Sequence, residues 1–443
     1  MNPDEVLAWL DDHINLESKG APAGVERRAS ALALDRVQQL TKLLGSPQLS
    51  FPAIHLTGTN GKTSVARMTA ALLTESGLSV GSYTSPHLER VNERLSWNNE
   101  PIDDETLAAM LTVIAAVEPH LPEPVSYFEI LTAAALYWFD DVAVDTAVVE
   151  VGLGGGRDAT NVVDGRVAVV TNVSVDHLEY IGPTVDDIAE EKAGIVKPEA
   201  VVVLGETDPA LAGHFLDKGA GRVLRRGVDF GAERGTLALH GRLVDLHTAT
   251  SRYSEVFLPL HGAHQADNAA VALAAAESFL GRPLTDEVVR AAFAAVESPG
   301  RLEVVGHSPL VLLDGAHNVA GAHSLVAALR EEFPDAPRTF VVGLLREKEP
   351  HEMLEALGVL GPSRLVCCRP PSPRALDPAR LADAAIDLGL DPDQVEVVEL
   401  VEEAVARALA MTGVDEQVIV TGSLYTVGAA RHALVPEEAA DSG

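Results

Sequence analysis

Cysteine is nearly absent: Cys367 and Cys368 are the only two, and they are neighbours in the chain. Adjacent cysteines rarely bridge one another, so a disulfide framework is excluded. No run of 18 or more apolar residues occurs, which excludes a membrane-spanning helix. The start, Met1-Asn2-Pro3-Asp4-Glu5, is acidic and lacks the basic head and apolar middle of a secretory signal. A cytoplasmic protein with no membrane partner is expected. Positive charge is also short: 33 Lys and Arg face 65 Asp and Glu, for a formal net charge of −32, and lysine is scarce beside arginine. That balance argues against nucleic acid as a partner, because phosphate backbones demand clustered Lys and Arg. An acidic protein that binds a polyanion must concentrate its few cations locally, which singles out Lys62, Lys192, Lys197 and the basic residues of 301–348. Internal repeats of fixed period and long low-complexity stretches are missing too.

What is present is ample apolar sequence, 47% of 443 residues, enough to bury two cores. The chain is organised around Thr57-Gly58-Thr59-Asn60-Gly61-Lys62-Thr63-Ser64. An apolar run from Phe51 to Leu56 precedes it as a buried strand, and apolar residues at helical spacing follow Lys62. Strand, Gly-rich turn, Gly-Lys-Thr/Ser and helix make the layout of a phosphate-binding loop. Gly58 and Gly61 let the backbone bring its N–H groups to a phosphate. The helix N-terminus adds partial positive charge, Lys62 a full one, and a Thr63 or Ser64 hydroxyl can ligate Mg²⁺. The first glycine stands at 58, where ordinary Walker spacing would want it at Leu56, so the loop is a variant.

Helices are expected at 4–11, 25–44, 103–118, 127–140 (opened by a Ser126/Glu129 capping box), 184–193, 264–280 and 285–296. Strands are expected at 79–84, 146–151 and 166–173, and a small antiparallel patch within 222–260. Ser298-Pro299-Gly300 interrupts the pattern, and the βα alternation then restarts with strands near 310–314, 339–343, 364–368, 395–399 and 417–421. The tail from Pro436 reads as frayed. The expected fold is α/β: a P-loop-containing, mostly parallel doubly wound sheet in a larger N-terminal domain (1–297), a linker at 298–300, and a smaller Rossmann-like α/β domain at 301–443.

In open α/β sheets ligands bind beyond the carboxyl ends of the strands. The phosphate loop, Ser85, Glu150 and His177 all follow such ends and can meet on one edge. A carboxylate in an apolar run, as Glu150 is, needs a nearby cation or it neutralises; Mg²⁺ beside a triphosphate is the simplest account, against a solvent-facing strand end. His177 alone is weak, since imidazole is unusual for Mg²⁺. Lys192 lies on a helix among acids, where a surface ion pair is the default. Asp314-Gly315-Ala316-His317-Asn318 follows an apolar strand and precedes a helix, a place for a ribose or phosphate contact or for a plain N-cap and turn.

Thr57–Ser64, Ser85-Pro86-His87-Leu88 with Asn92-Glu93-Arg94, Tyr127-Phe128-Glu129, Glu150-Val151-Gly152-Leu153-Gly154-Gly155 and Asp158-Ala159-Thr160-Asn161 recur together in one known family. So do Asp176-His177, Glu191-Lys192-Ala193-Gly194, His264-Gln265 with Asn268, Gly300-Arg301, Asp314–Asn318 and Thr421-Gly422-Ser423-Leu424-Tyr425. From about residue 32 to 431 the chain resembles folylpolyglutamate synthase/dihydrofolate synthase, of the Mur ligase superfamily. The resemblance implies an ATP-dependent carboxylate–amine ligase. In it a substrate carboxylate attacks the γ-phosphate, and L-glutamate then displaces phosphate from the acyl phosphate.

The resemblance also implies roles. Gly58, Thr59, Asn60, Gly61, Lys62, Thr63 and Ser64 hold the triphosphate of ATP, and Ser85, Glu150 and His177 hold Mg²⁺. Lys192 stands where the family has a carbamylated lysine, and a monovalent cation is allowed for. Asn268, Arg301 and Asp314 contact the nucleotide, with His317 near the phosphates. Asp35, Arg36, Ser126, Tyr127, Phe128, Glu129, Arg157, Asp158 and Ala159 border the pterin-carrying substrate. A monomer is expected, with the linker as a hinge. Rival readings are a Mur-type cell-wall peptide ligase and a P-loop regulatory ATPase. Two departures stand out. The family usually writes Gly-Gly-Arg-(large apolar)-Asp-Ala-Thr-Asn, but here the arginine comes one place later, at Arg157 after Gly156. Glu347-Lys348-Glu349 stands where Asp-Lys-Asp is commoner.

Overall fold

A computed structural model describes residues 1–17, 34–176, 180–216, 218–360 and 363–435. His177, the 25–33 part of the expected helix 25–44, and the tail from Pro436 lie outside the described residues. The chain divides into two compact units, one of Met1–Pro259 with His264–Glu297, the other of Leu260–Ala263 with Ser298 onward.

The first unit is built on an eight-stranded sheet of order β4-β3-β2-β5-β1-β6-β7-β8. Its strands are β1 (Ala53–Thr57), β2 (Val80–Tyr83), β3 (Leu95–Trp97), β4 (Glu100–Pro101), β5 (Thr146–Glu150), β6 (Gly165–Val170), β7 (Val201–Leu204) and β8 (Arg222–Arg225). Pairing is parallel from β2 through β8, while β3 and β4 add an antiparallel edge. Every residue of β1, β2 and β5 is buried. Helices cover both faces of such a sheet, so β1 and β5 read as mostly apolar runs without alternation. One face carries the helices Pro3–Asp11, Asp104–Val117 and Tyr127–Asp141, which meet the sheet through Leu10, Leu111, Ile130 and Phe139. The Tyr127–Asp141 helix starts where its capping box is satisfied: Glu129 N–H donates to Ser126 Oγ, and Ser126 N–H to Glu129 Oε2.

The expected antiparallel patch is smaller than 222–260. β9 (Gly231–Ala238), β10 (Gly241–His247) and β11 (Arg252–Leu258) form it, whereas β8 joins the main sheet in parallel beside β7. Period-two alternation marks a half-exposed strand but does not name its partner.

In the second unit a six-stranded sheet has the order β12-β13-β17-β14-β15-β16. Its strands are β12 (Glu303–His307), β13 (Leu310–Leu313), β14 (Arg338–Val342), β15 (Arg364–Cys367), β16 (Val395–Val397) and β17 (Gln417–Thr421). All but β12 run parallel. Helices Val319–Glu332, Pro350–Leu357, Pro378–Asp387, Val401–Met411 and Leu424–Leu434 alternate with them, as the restarted pattern predicts. Cys367 and Cys368 are both buried free thiols, with burial raising their pKa, so neither is a nucleophile.

Candidate active site

β1, β5 and β6 are neighbours, and their C-terminal ends place three polar segments side by side. The loop after β1 is held by the end of β6. Asn60 N–H donates to Asn172 Oδ1 at 3.0 Å, Thr171 Oγ1 donates to Asn60 O at 2.6 Å, and Thr59 Oγ1 donates to Ser174 O at 3.1 Å. The fit requires glycine. A Cβ at Gly58 (φ +152°) would lie 1.8 Å from Thr171 Oγ1, and one at Gly61 (φ +81°) 2.7 Å from Asn268 Oδ1. Lys62 opens the helix Lys62–Glu75 and donates from Nζ to Gly58 O at 3.0 Å. A lysine lying on its own loop's carbonyls, at a helix N-terminus, is placed to turn toward a phosphate. Asn268, fixed by Gln265 Oε1 at 2.9 Å, belongs to this cluster.

Glu150, 1% exposed, ends β5. It accepts Thr63 Oγ1 at 3.1 and 3.0 Å and the Ser85 backbone N–H at 3.2 Å. Thr63, Ser85 and Glu150 thus converge as the sequence suggests. Among the described residues no group of three or more His, Cys, Asp or Glu could hold a metal. One carboxylate beside the Thr63 hydroxyl is an oxygen donor set, the kind that suits Mg²⁺.

The loop carrying Ser85 is braced by Asn92-Glu93-Arg94. Glu93 accepts the N–H groups of Leu88, Glu89 and Arg90, and Asn92 donates to Ile102 O. Arg94 is 2% exposed. Its guanidinium pairs bidentately with Glu17, donates from Nε to His87 Nδ1 at 2.9 Å, and stands 5.6 Å from the centre of the Tyr127 ring. Burial, then Arg94, pushes His87 down to about 4, which keeps the ring a neutral acceptor. Burial alone would lower the Arg94 pKa, but Glu17 outweighs it and raises it. Glu17→Ala strands a buried charge and should cost the first unit about 3 kcal/mol, read as a lower urea midpoint; Glu17→Gln, which keeps an acceptor, should cost less.

A pocket opens beside the loop, lined by Gly58 and Lys62 of the loop and by Gly152, Gly154, Asp176 and Lys192. Lys192 is 5% exposed, in the last turn of the helix Val185–Ala193. It is no surface partner. Burial, then the charge of Lys62, lowers its pKa from the ordinary lysine range to about 7, against the pull of Asp176. Asp158 is buried, and its carboxylate is occupied by the N–H of Leu153 and by Thr160 N–H and Oγ1. Burial raises its pKa despite those bonds. The displaced Arg157 points to Glu191, Nη2 to Oε2 at 2.9 Å.

Of the segments expected to border a substrate, Arg36 and Glu129 form an ion pair at 2.7 Å, Asp35 is exposed, and Tyr127 and Ala159 are buried. Phe128 lies close over the pocket wall, since a Cβ on Gly152 would sit 2.4 Å from its ring. In the second unit, at the end of β13, Asp314 accepts the N–H groups of Leu302 and Ala316. Arg301 donates to Gly315 O at 3.4 Å, and His317 Nδ1 lies 2.9 Å from the same oxygen. Sequence reasoning missed Glu17, Thr171 and Asn172. Only the last two carried a signal, as polar residues ending an apolar strand.

A parallel sheet with a lysine-bearing phosphate loop at its switch point, next to a strand-end carboxylate, defines a nucleotide-binding α/β protein. The Mur ligase middle domain matches residues 56–276, and the Mur ligase glutamate ligase domain matches 300–424. The dihydrofolate synthase/folylpolyglutamate synthase of Mycobacterium tuberculosis is 39% identical over 97% of this chain and 94% of its own. A solved M. tuberculosis folylpolyglutamate synthase complexed with ADP superposes with a TM-score of 0.88 at 39% identity, covering 97% of each chain. An Escherichia coli relative solved with DHPP and ADP gives 0.82 at 30% identity, covering 96% of each. The chain belongs to the folylpolyglutamate synthase/dihydrofolate synthase family of Mur ligases, which are ATP-dependent ligases. No helix among its described residues is long and apolar enough to cross a membrane.

Proposed function

We propose that this protein joins L-glutamate to a pterin-carrying carboxylate (dihydropteroate, a reduced folate, or both) at the expense of ATP, in the cytoplasm. One observation carries the reading: the pocket is lined by two lysines, Lys62 on the phosphate loop and the buried Lys192. Binding and hydrolysing ATP needs only the first. Relatives solved with ADP, and with DHPP and ADP together, support the same assignment.

The substrate carboxylate oxygen attacks the γ-phosphorus, the bond to the β-phosphate oxygen breaks, and ADP leaves. The amino group of glutamate then adds to the acyl phosphate carbonyl, loses its proton, and expels inorganic phosphate. Two anions must approach each other in the first step, and Lys62 offsets their repulsion. Glu150, with the hydroxyls of Thr63 and Ser85 and with His177, would hold Mg²⁺, which supplies further charge neutralisation when bound. Asn268, Arg301, Asp314 and His317 are assigned to the nucleotide. Arg36, Ser126, Phe128 and Glu129 are assigned to the pocket wall on the pterin side. The segment 298–300 is assigned as a hinge.

Lys192 is assigned as a carbamate: its neutral amine adds to CO₂ and releases one proton, leaving an anionic group that orients the substrate. An amine with a pKa near 7 is about half neutral at neutral pH, where an ordinary lysine is almost wholly charged. Removing CO₂ and bicarbonate should therefore lower turnover, and adding them back should restore it. Below pH 7 the amine is an ammonium and forming the carbamate releases two protons, so the CO₂ needed for half-restoration should approach a rise of about a hundredfold per pH unit there. Turnover indifferent to CO₂ contradicts the assignment.

The function is tested by phosphate release from ATP and Mg²⁺, with dihydropteroate or a reduced folate, with and without L-glutamate. Glutamate-dependent release with at least one carboxylate is expected. Release that needs neither organic substrate would favour a regulatory ATPase.

A further inference from the structure

Arg157 stands one place later than its family position, and the structure shows where it goes. Its Nε and Nη2 meet Glu191 Oε2 at 3.0 and 2.9 Å, and its own backbone N–H donates to Glu191 Oε1 at 3.0 Å. The Glu191 carbonyl accepts Gly156 N–H at 2.8 Å. One residue thus takes four contacts from two successive loop positions. The Glu191 side chain is 11% exposed and that of Arg157 43%, so the pair is half-buried, and its hold comes from the backbone N–H on Oε1 together with the two guanidinium contacts on Oε2.

The backbones beneath are in contact as well. A Cβ at Gly194 would fall 2.4 Å from the Cα of Gly156, and a Cβ at Gly155 would fall 3.0 Å from the Cα of Lys192. Asn161 Nδ2 ties the same two segments together, donating to Gly156 O at 2.7 Å and to Gly194 O at 3.3 Å. The loop 152–157 and the last turn of the helix Val185–Ala193 are therefore one clasp, with Lys192 directly beside its fastening. Gly152 and Gly154 of that loop and Lys192 of that helix line the same pocket.

We propose that Arg157 and Glu191 are positioning residues that set the distance between Lys192 and the glycine-rich wall, and that Arg157 influences the reaction through Glu191 without touching the substrate. This differs from the role that the resemblance implies for Arg157, and it rests on the ligase reading above. A shift of about 1 Å in a group that orients a reacting carboxylate is enough to cost two orders of magnitude in rate. The arginine at 157 reaches Glu191 from a loop position that also donates its own N–H, so side chain and backbone pull the same way.

The test is a double-mutant cycle on the full chain, with kcat, the KM of the pterin substrate and ADP affinity by calorimetry read for each variant. Arg157→Ala and Glu191→Ala should each lower kcat about tenfold with KM and ADP affinity unchanged. The double variant should be no worse than the worse single one, where independent effects would multiply to about a hundredfold. Arg157→Lys, and the exchanged pair Arg157→Glu with Glu191→Arg, should recover part of kcat. These two also keep the test decisive if either alanine variant fails to fold. A raised KM in Arg157→Ala with kcat intact, or multiplicative losses, or full kcat in both singles, overturns the proposal. If the wild-type protein itself shows no glutamate-dependent turnover, the functional reading fails instead.

Discussion

Glu150→Ala should abolish glutamate-dependent ADP release, by about a thousandfold or more, while the protein stays folded. Glu150 is buried at the end of β5 and accepts from Thr63 Oγ1 and the Ser85 N–H. Its removal strands two donors, at a cost of about 1–3 kcal/mol in the folded state, which a domain of this size withstands. The loss of rate has a different origin. Without the carboxylate the place where the phosphate-loop helix, the Ser85 loop and β5 meet loses the negative charge of Glu150. Glu150→Gln separates the two effects, because the amide oxygen still accepts from Thr63 and Ser85 but carries no charge. Near-native stability with lost Mg²⁺-dependent turnover is expected of Gln; turnover within tenfold of wild type would remove Glu150 from the proposed metal site.

Lys62→Ala should lower turnover about a hundred- to a thousandfold and weaken ADP binding. The Nζ group lies on the carbonyls of Gly58 and Thr59, so among the described residues no hydrogen-bond partner outside the loop is abandoned and the fold should be unaffected. A second effect has a definite sign. The charge of Lys62 is the second cause, after burial, of the low pKa of Lys192. Its removal raises that pKa, so Lys192 stays protonated to higher pH and any CO₂ dependence moves toward alkaline conditions. A rate loss without that movement would show that the two lysines act independently.

Much of the fold is legible because burial writes itself into composition. β1, β5 and β6 are apolar runs, the capping residues Ser126 and Thr184 sit where their helices begin, and the second unit repeats its βα pattern five times. The strands that escape notice are short or half polar: β3, β4, β7 and β12 have two to five residues each, too few for a period to register. The site is legible where chemistry follows a strand end, as at Lys62, Ser85 and Glu150. It is illegible where the decisive contact spans the chain. Arg94 is visible as part of a motif, but its partner Glu17 lies 77 residues away; Arg157 and Glu191 are 34 apart. The default surface reading of Lys192 fails for the same reason, since the loop that buries it comes from another part of the sequence.

The central claim is that ATP is spent on a carboxylate. Supply the pterin substrate with both carboxylate oxygens labelled as ¹⁸O, together with ATP, Mg²⁺ and L-glutamate, and analyse the inorganic phosphate by mass spectrometry. Passage through an acyl phosphate places one labelled oxygen in each phosphate released and leaves the other in the new amide. Unlabelled phosphate, with its fourth oxygen drawn from water, would contradict the account.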